Sequence, residues 1–276
     1  MNERFAEYDE VSVTELLRQG DVLEAVDAGA TMWQRHLLVM TADCDFAHEK
    51  HRGRVTCVPL LAADEYLAEM QIPKIREQLV KPRMDELQQA LSKAQAPPIS
   101  YGRLREWASE ADPENIVSQL GLGREVAEKV RCNLEAVRQM DAPAENLGEY
   151  VELLVAGQLA GTNPPKPERA RKRVDESLRS AYTQPPGDAL FLSAIGPGLD
   201  SGYFAYLRHI EQIWQPDIAI APTRAAISHR RLSRMKERFT LALTQRFAMV
   251  FMSIGLPEQY EENRNLYADF PGEYLK

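Results

Sequence analysis

Between Trp33 and Leu61 the chain reads WQRHLLVMTADCDFAHEKHRGRVTCVPLL, and this stretch collects most of the groups that could do chemistry. Two apolar, strand-like runs flank a polar loop that carries Thr41, Asp43, Cys44, Asp45, His48 and His51. Carboxylate, thiolate and imidazole together are metal-ligand chemistry. The spacing is not that of a structural zinc site and no Cys-x-x-Cys pair is present, so neither a metal nor another cofactor is expected. A nucleophilic Cys44 would need a lowered pKa, whereas two flanking carboxylates favour the protonated thiol. The plainer reading has the aspartates capping the turn with side-chain-to-backbone hydrogen bonds, and Cys44 as a small buried residue.

Arg35, His36 and His48 offer a different chemistry. Cleavage of RNA needs a group to take the 2'-hydroxyl proton and a cation to stabilise the developing phosphorane charge. Arg35 suits the second task, and His36 or His48 the first. The competing expectation is that Asp43 or Asp45 neutralises Arg35.

Two basic clusters stand out in a chain of net charge -8. Lys166, Arg169, Arg171, Lys172 and Arg173 begin one helix. His229, Arg230, Arg231, Arg234, Lys236 and Arg238 lead into another, where cations at the N-terminus would oppose the helix dipole. Phosphate contact by Arg230, Arg231, Arg234, Lys172 and Arg173 would explain them, as would an acidic partner or an acidic patch on the same chain; the plainer reading of each is a solvated face interleaved with Glu168, Asp175, Glu176 and Glu237. The overall charge argues against avid, non-specific nucleic-acid binding. Leu120 to Val130, with Gly121 and Gly123, has the outline of a helix-hairpin-helix phosphate site; a bend between two helices is the simpler reading.

The elements that would hold these groups fall into three segments. Residues 13–61 read as a short helix ending at Leu16 and Leu17, a strand from Val22, a second strand over Met32 to Thr41 and a third over Val55 to Leu61. Residues 62–186 read as helical, interrupted by Pro73 and Pro82, with amphipathic runs at Asn115 to Leu120, Arg124 to Met140, Leu147 to Leu159 and Glu168 to Tyr182. Residues 187–257 return to strands, at Ala189 to Ala194 and Tyr203 to Ile213. They close with a helix from Leu232 to Ile254 stopped by Gly255-Leu256-Pro257. Residues 258–276 read as a peripheral tail. At 276 residues there is chain enough for a sizeable core. No run approaches the ~20 apolar residues of a membrane span, so no membrane contact is expected. The N-terminus lacks a signal-peptide core. Three cysteines give no disulfide framework. These features suggest a cytoplasmic protein.

In this order, three short motifs resemble the MazF/PemK-like toxin family. Gln19-Gly20-Asp21-Val22-Leu23 is similar to its opening Gly-Asp strand. Arg35 to Thr41 is similar to its Arg-Pro pair and following strand, and Val55 to Leu61 to its next strand. The resemblance covers under half of the chain. It implies an α+β protein: an SH3-like β-barrel built from both ends of the chain, with a large helical insertion and a C-terminal helix. In the family, the arginine and a threonine after the third strand serve in RNA cleavage. Arg35 matches the arginine, His36 replaces the proline, and Leu61 stands where the threonine would be. The expected function is therefore a barrel with degenerate catalysis, acting through protein partners in a bacterial toxin–antitoxin or defence system. The alternative is an endoribonuclease using Arg35 and a histidine, with RNA as its partner. A homodimer is compatible with either.

Overall fold

The computed structural model describes residues 5–93, 95, 97–184, 186–223 and 225–252. The chain is α+β. Its strands are β1 (Tyr8–Asp9), β2 (Asp21–Ala25), β3 (His36–Val39), β4 (Arg54–Ala62), β5 (Ala189–Leu192), β6 (Tyr203–Tyr206), β7 (Glu211–Trp214), β8 (Ile218–Ala219) and β9 (His229–Met235). They form one sheet in the order β1-β9-β2-β3-β4-β6-β5, with β7 beside β4 and β8 beside β9. Every pairing is antiparallel except β8 with β9. The sheet curls into a half-barrel because β4 serves two neighbours on one edge. Its first half, Arg54 to Cys57, pairs with β7, and its second half, Leu60 to Ala62, pairs with β6.

Side-chain alternation explains why β3 and β4 are apolar without a break. Val22, Leu38, Val58 and Leu60 point into one core, and Leu23, Leu37, Val39, Val55 and Cys57 into another on the opposite face. A sheet covered on both faces needs apolar residues at every position. The first core is closed by α10 (Glu237–Phe251), through Leu243 and its partly buried neighbours Phe239, Phe247 and Val250.

The remaining helices are α1 (Met32–Arg35), α2 (Asp43–Ala47), α3 (Ala63–Tyr66), α4 (Ile72–Lys93), α5 (Tyr101–Glu110), α6 (Pro113–Leu120), α7 (Arg124–Asp141), α8 (Leu147–Ala160) and α9 (Pro167–Thr183). Helices α4 to α9 share a core of their own, centred on Val80, Met84, Leu87, Leu104, Leu134, Val137, Leu154 and Val174. They meet the sheet where Tyr66, Leu67 and Ala181 pack with Leu61 and Phe204. The glycine-containing turn between α6 and α7 is a bend: Gly121 ends α6 at φ 58° and Gly123 caps the start of α7. No helix among the described residues is long and apolar enough to cross a membrane.

Several expected elements are corrected. Leu16 and Leu17 lie in a non-helical segment after a turn at Ser12 to Glu15. The carbonyls of Glu15 and Leu16 accept from Arg231 and Arg234 rather than from helical amides. Met32 to Arg35 is a helical turn, not the start of a strand. Residues 203–213 form two strands rather than one. Leu232 to Met235 belongs to β9, which is sandwiched between β1 and β2, so the last helix begins only at Glu237. Ile254, Gly255-Leu256-Pro257 and the tail lie outside the described residues.

Pro73 and Pro82 do not break the helix either. A π-helical turn, Leu67–Gln71, precedes Pro73 and absorbs the missing N–H, and α4 runs on through Pro82. An interior proline costs roughly 3 kcal/mol. The burial of Leu79, Val80, Met84 and Leu87 on one face of α4 offsets it.

Candidate functional site

β3 separates the expected site residues into two groups. Arg35 and His36 lie at its start, whereas Thr41, Asp43, Cys44, Asp45 and His48 follow its end. The structure therefore does not bring Arg35 and His48 together.

At the far end, the loop is α2 with acidic residues Asp43 and Asp45 in its first turn, where a helix dipole favours them. Buried Thr41 spends its hydroxyl on the Thr56 amide, at 2.7 Å. Asp43 accepts from the Gln19 amide at 2.8 Å and from Arg18 Nη2, also at 2.8 Å. Partial burial works against its charge, but Arg18 and the Gln19 amide outweigh it and hold the carboxyl below its usual range. Cys44 is exposed, not buried as expected, and its thiol lies 3.8 Å from Asp45 Oδ1. His48 is exposed where α2 ends. His51 ties the Asp45 carbonyl, at 3.0 Å, to the Gln215 side chain, at 2.6 Å. Beside α2 lies a cleft of about 440 Å³ with Leu17, Phe46, Ile218 and Ile220 in its walls. Thr41, Asp43 and His51 in its neighbourhood are used to hold the loop.

The near end, around α1, gathers more chemistry. Arg35 Nη1 pairs with Glu65 Oε1 at 2.7 Å, and not with Asp43 or Asp45. His36 is buried, with Nε2 3.8 Å from Glu24 Oε1 and its ring edge-on to Tyr203. Desolvation pushes its pKa below 6.5 despite the pull of Glu24. The ring is therefore neutral at pH 7, and the contact with Glu24 is not an ion pair. Trp33 stacks on His209 at 4.7 Å, and His209 binds Glu211 at 2.7 Å. His229 is buried and lies 3.1 Å from the carbonyl of Gln34, which can only accept, so Nε2 donates. Nδ1 lies 2.9 Å from the Ser228 hydroxyl. Burial lowers the pKa of His229 as well.

His209, Trp33, Glu24, Glu65 and Glu211 were not legible as members of this site. They come from β2, α1, α3 and the β6–β7 region, and only the sheet pairing brings them together. Among the described residues no three His, Cys, Asp or Glu side chains converge to hold a metal ion.

The second basic cluster meets an acidic patch on the same chain. Asp21 is fully buried. Its carboxylate accepts from Arg234 Nε at 2.6 Å, from the Arg18 amide at 2.9 Å and from Arg231 Nη1 at 3.4 Å. The Arg231 side chain is 2% exposed and also donates to the carbonyls of Ser12, Glu15 and Leu16. Arg234 further binds Glu15 at 2.6 Å, and Arg230 binds Glu24 at 2.7 Å. Arg231 thus has no face to offer a phosphate. These three cations lie on a strand, so the helix-dipole argument does not apply to them. Lys172 and Arg173 are exposed on α9, far along the chain from this cluster.

Leu61 is fully buried between β3 and β6, in a core with Tyr66 and Phe204. Compared with protein-family models, curated proteins and solved structures, the chain matches none of them.

The two buried histidines give a pH dependence with a definite sign. Their folded pKa values lie below 6.5, so the unfolded chain takes up protons first. Their contribution to stability is complete above pH 6.5 and is lost as the pH falls from there through the folded values. Thermal midpoints recorded from about pH 8 down to about pH 5 should fall more steeply for wild type than for His36→Gln. Parallel curves would show that His36 is not held neutral.

Proposed function

We propose that the chain is an SH3-like barrel of the MazF/PemK type that has lost cleavage. It works through protein partners, as a cytoplasmic component of a bacterial toxin–antitoxin or defence system. The observation that carries this reading is the use made of the two positions the family needs. Arg35 is paired with Glu65, and Leu61 is sealed in the core with no hydroxyl to offer. His48 follows α2, past the opposite end of β3 from Arg35.

Partner binding is supported by apolar surface on α10 and just past its end. Leu241, Met249, Phe251 and Met252 are 56–76% exposed. Exposed apolar patches of this kind mark interaction sites, and a homodimer through this face suits the reading equally.

An endoribonuclease centred on α1 is the second reading. It is favoured by the neutral His36 and by His209, both beside carboxylates at the end of the sheet that carries Arg35. Expression in a bacterial host separates the two. Cells making wild type should grow like cells making Arg35→Ala, with intact RNA in both. Growth arrest with fragmented RNA, relieved by Arg35→Ala, would establish the nuclease.

A further inference from the structure

A large cleft lies outside the barrel, between α4, the loop that follows α8, and α9. It measures about 700 Å³, and four cationic side chains, Arg83, Arg169, Lys172 and Arg173, face one carboxylate, Glu176. Lys172 lies 3.7 Å from Glu176 and accounts for that charge. Arg83, Arg169 and Arg173 make no ion pair among the described residues. By contrast, Arg171, two residues from Arg169, binds Glu152, and Arg230, Arg231 and Arg234 are all matched. Three unmatched guanidinium groups in one concavity of an acidic protein repel one another, and an anion relieves the repulsion.

The placement of the charges sharpens the point. Arg169, Lys172 and Arg173 lie in the first two turns of α9, whose N-cap, Lys166, makes no side-chain capping bond. Cations at a helix N-terminus add to the positive end of the helix dipole, which an anion would again offset.

The cleft is also shaped for this purpose. Gly161 has ordinary backbone angles, φ -71° and ψ 170°. A Cβ there would lie 2.5 Å from the Arg83 guanidinium, so the missing side chain lets the head group of Arg83 rest on the loop. Across the cleft, Pro82 has no N–H to give the carbonyl of Gln78, one helical turn back, and both residues line the cavity.

We propose that this cleft binds a small oligophosphate ligand of nucleotide size, with Arg83, Arg169 and Arg173 gripping the phosphates. The volume falls within the roughly 300–1,000 Å³ of small-molecule sites. Arginine is the side chain suited to bidentate phosphate contact. A single-stranded nucleic acid is a poorer fit, because no aromatic ring among the described residues lines the cleft for a base to stack on. The site is independent of the barrel and does not depend on whether the barrel cleaves RNA.

Titration calorimetry on the full chain tests this, with inorganic triphosphate, ATP, adenosine and a short single-stranded RNA as probes. Triphosphate and ATP should bind, more weakly as salt is raised, and adenosine should not. Arg83→Ala and Arg173→Ala should each weaken ATP binding at least about tenfold. Arg171→Ala, outside the cleft, should leave it unchanged. Gly161→Ala keeps every charge and displaces only the flexible end of Arg83, so it should lower affinity while the thermal midpoint stays put. No binding of triphosphate or ATP, or equal binding by the cleft variants, would overturn the proposal. RNA binding through these arginines without triphosphate or ATP binding would overturn it too, and would assign the cleft to a nucleic-acid backbone.

Discussion

Asp21→Ala should destabilise the chain by about 3–5 kcal/mol, or prevent it from folding, because it strands a buried charge. Asp21 is fully buried at the start of β2 and meets Arg231 and Arg234 from β9. Its loss would leave the Arg231 guanidinium, 2% exposed, with carbonyls alone. The same guanidinium holds Ser12, Glu15 and Leu16, so the segment leading into the barrel loosens with it. Asp43→Ala provides the contrast. Its partner Arg18 is 57% exposed, and a pair of that kind contributes roughly 0–1 kcal/mol. Urea midpoints for the two variants beside wild type measure the difference. Equal midpoints would show that the Gly-Asp at the head of β2 does not anchor the sheet.

Leu61→Thr tests the family position directly. The variant places a hydroxyl where the resembled MazF/PemK-like pattern has its threonine, and it should lose about 2–4 kcal/mol while gaining no cleavage. The side chain is fully enclosed by Tyr66, Phe204 and Ala189. A threonine there would bury a hydroxyl and leave a void where the leucine's methyl groups had packed. Denaturant unfolding checks the first half of the expectation, and RNA integrity the second. A variant as stable as wild type that cuts RNA would mean that Leu61 faces a site and not the core.

The strands were legible where burial on both faces made them apolar without interruption. Leu37 to Met40 and Val55 to Leu61 announced β3 and β4, and the period of Arg124 to Met140 announced α7. β9 was misread because Leu232 and Met235 happen to extend the helical spacing of Phe239, Leu243 and Phe247, and nothing local records that β1 and β2 flank it. Proline chemistry misled in α4, since the π-turn before Pro73 and the packing of Met84 and Leu87 override a local rule. In the candidate site, Arg35 and His36 could be named from the sequence. Glu65, Glu24 and His209 could not, because they reach α1 only after the sheet has closed. The acidic alternative for the second basic cluster was visible in principle. Its partner, Asp21, stood among the resemblance motifs and so was read as a signature rather than as a counter-ion.

Under the proposed reading, Arg35 and Leu61, at the positions the resemblance assigns to catalysis, serve the fold. The most direct test of that reading is incubation of purified wild type, at equimolar ratio, with mixed-sequence RNA across pH and divalent metals, followed by mapping of new RNA ends. The expected result is an end profile identical to that of Arg35→Ala and of RNA alone. New ends produced by wild type and missing with Arg35→Ala would contradict it.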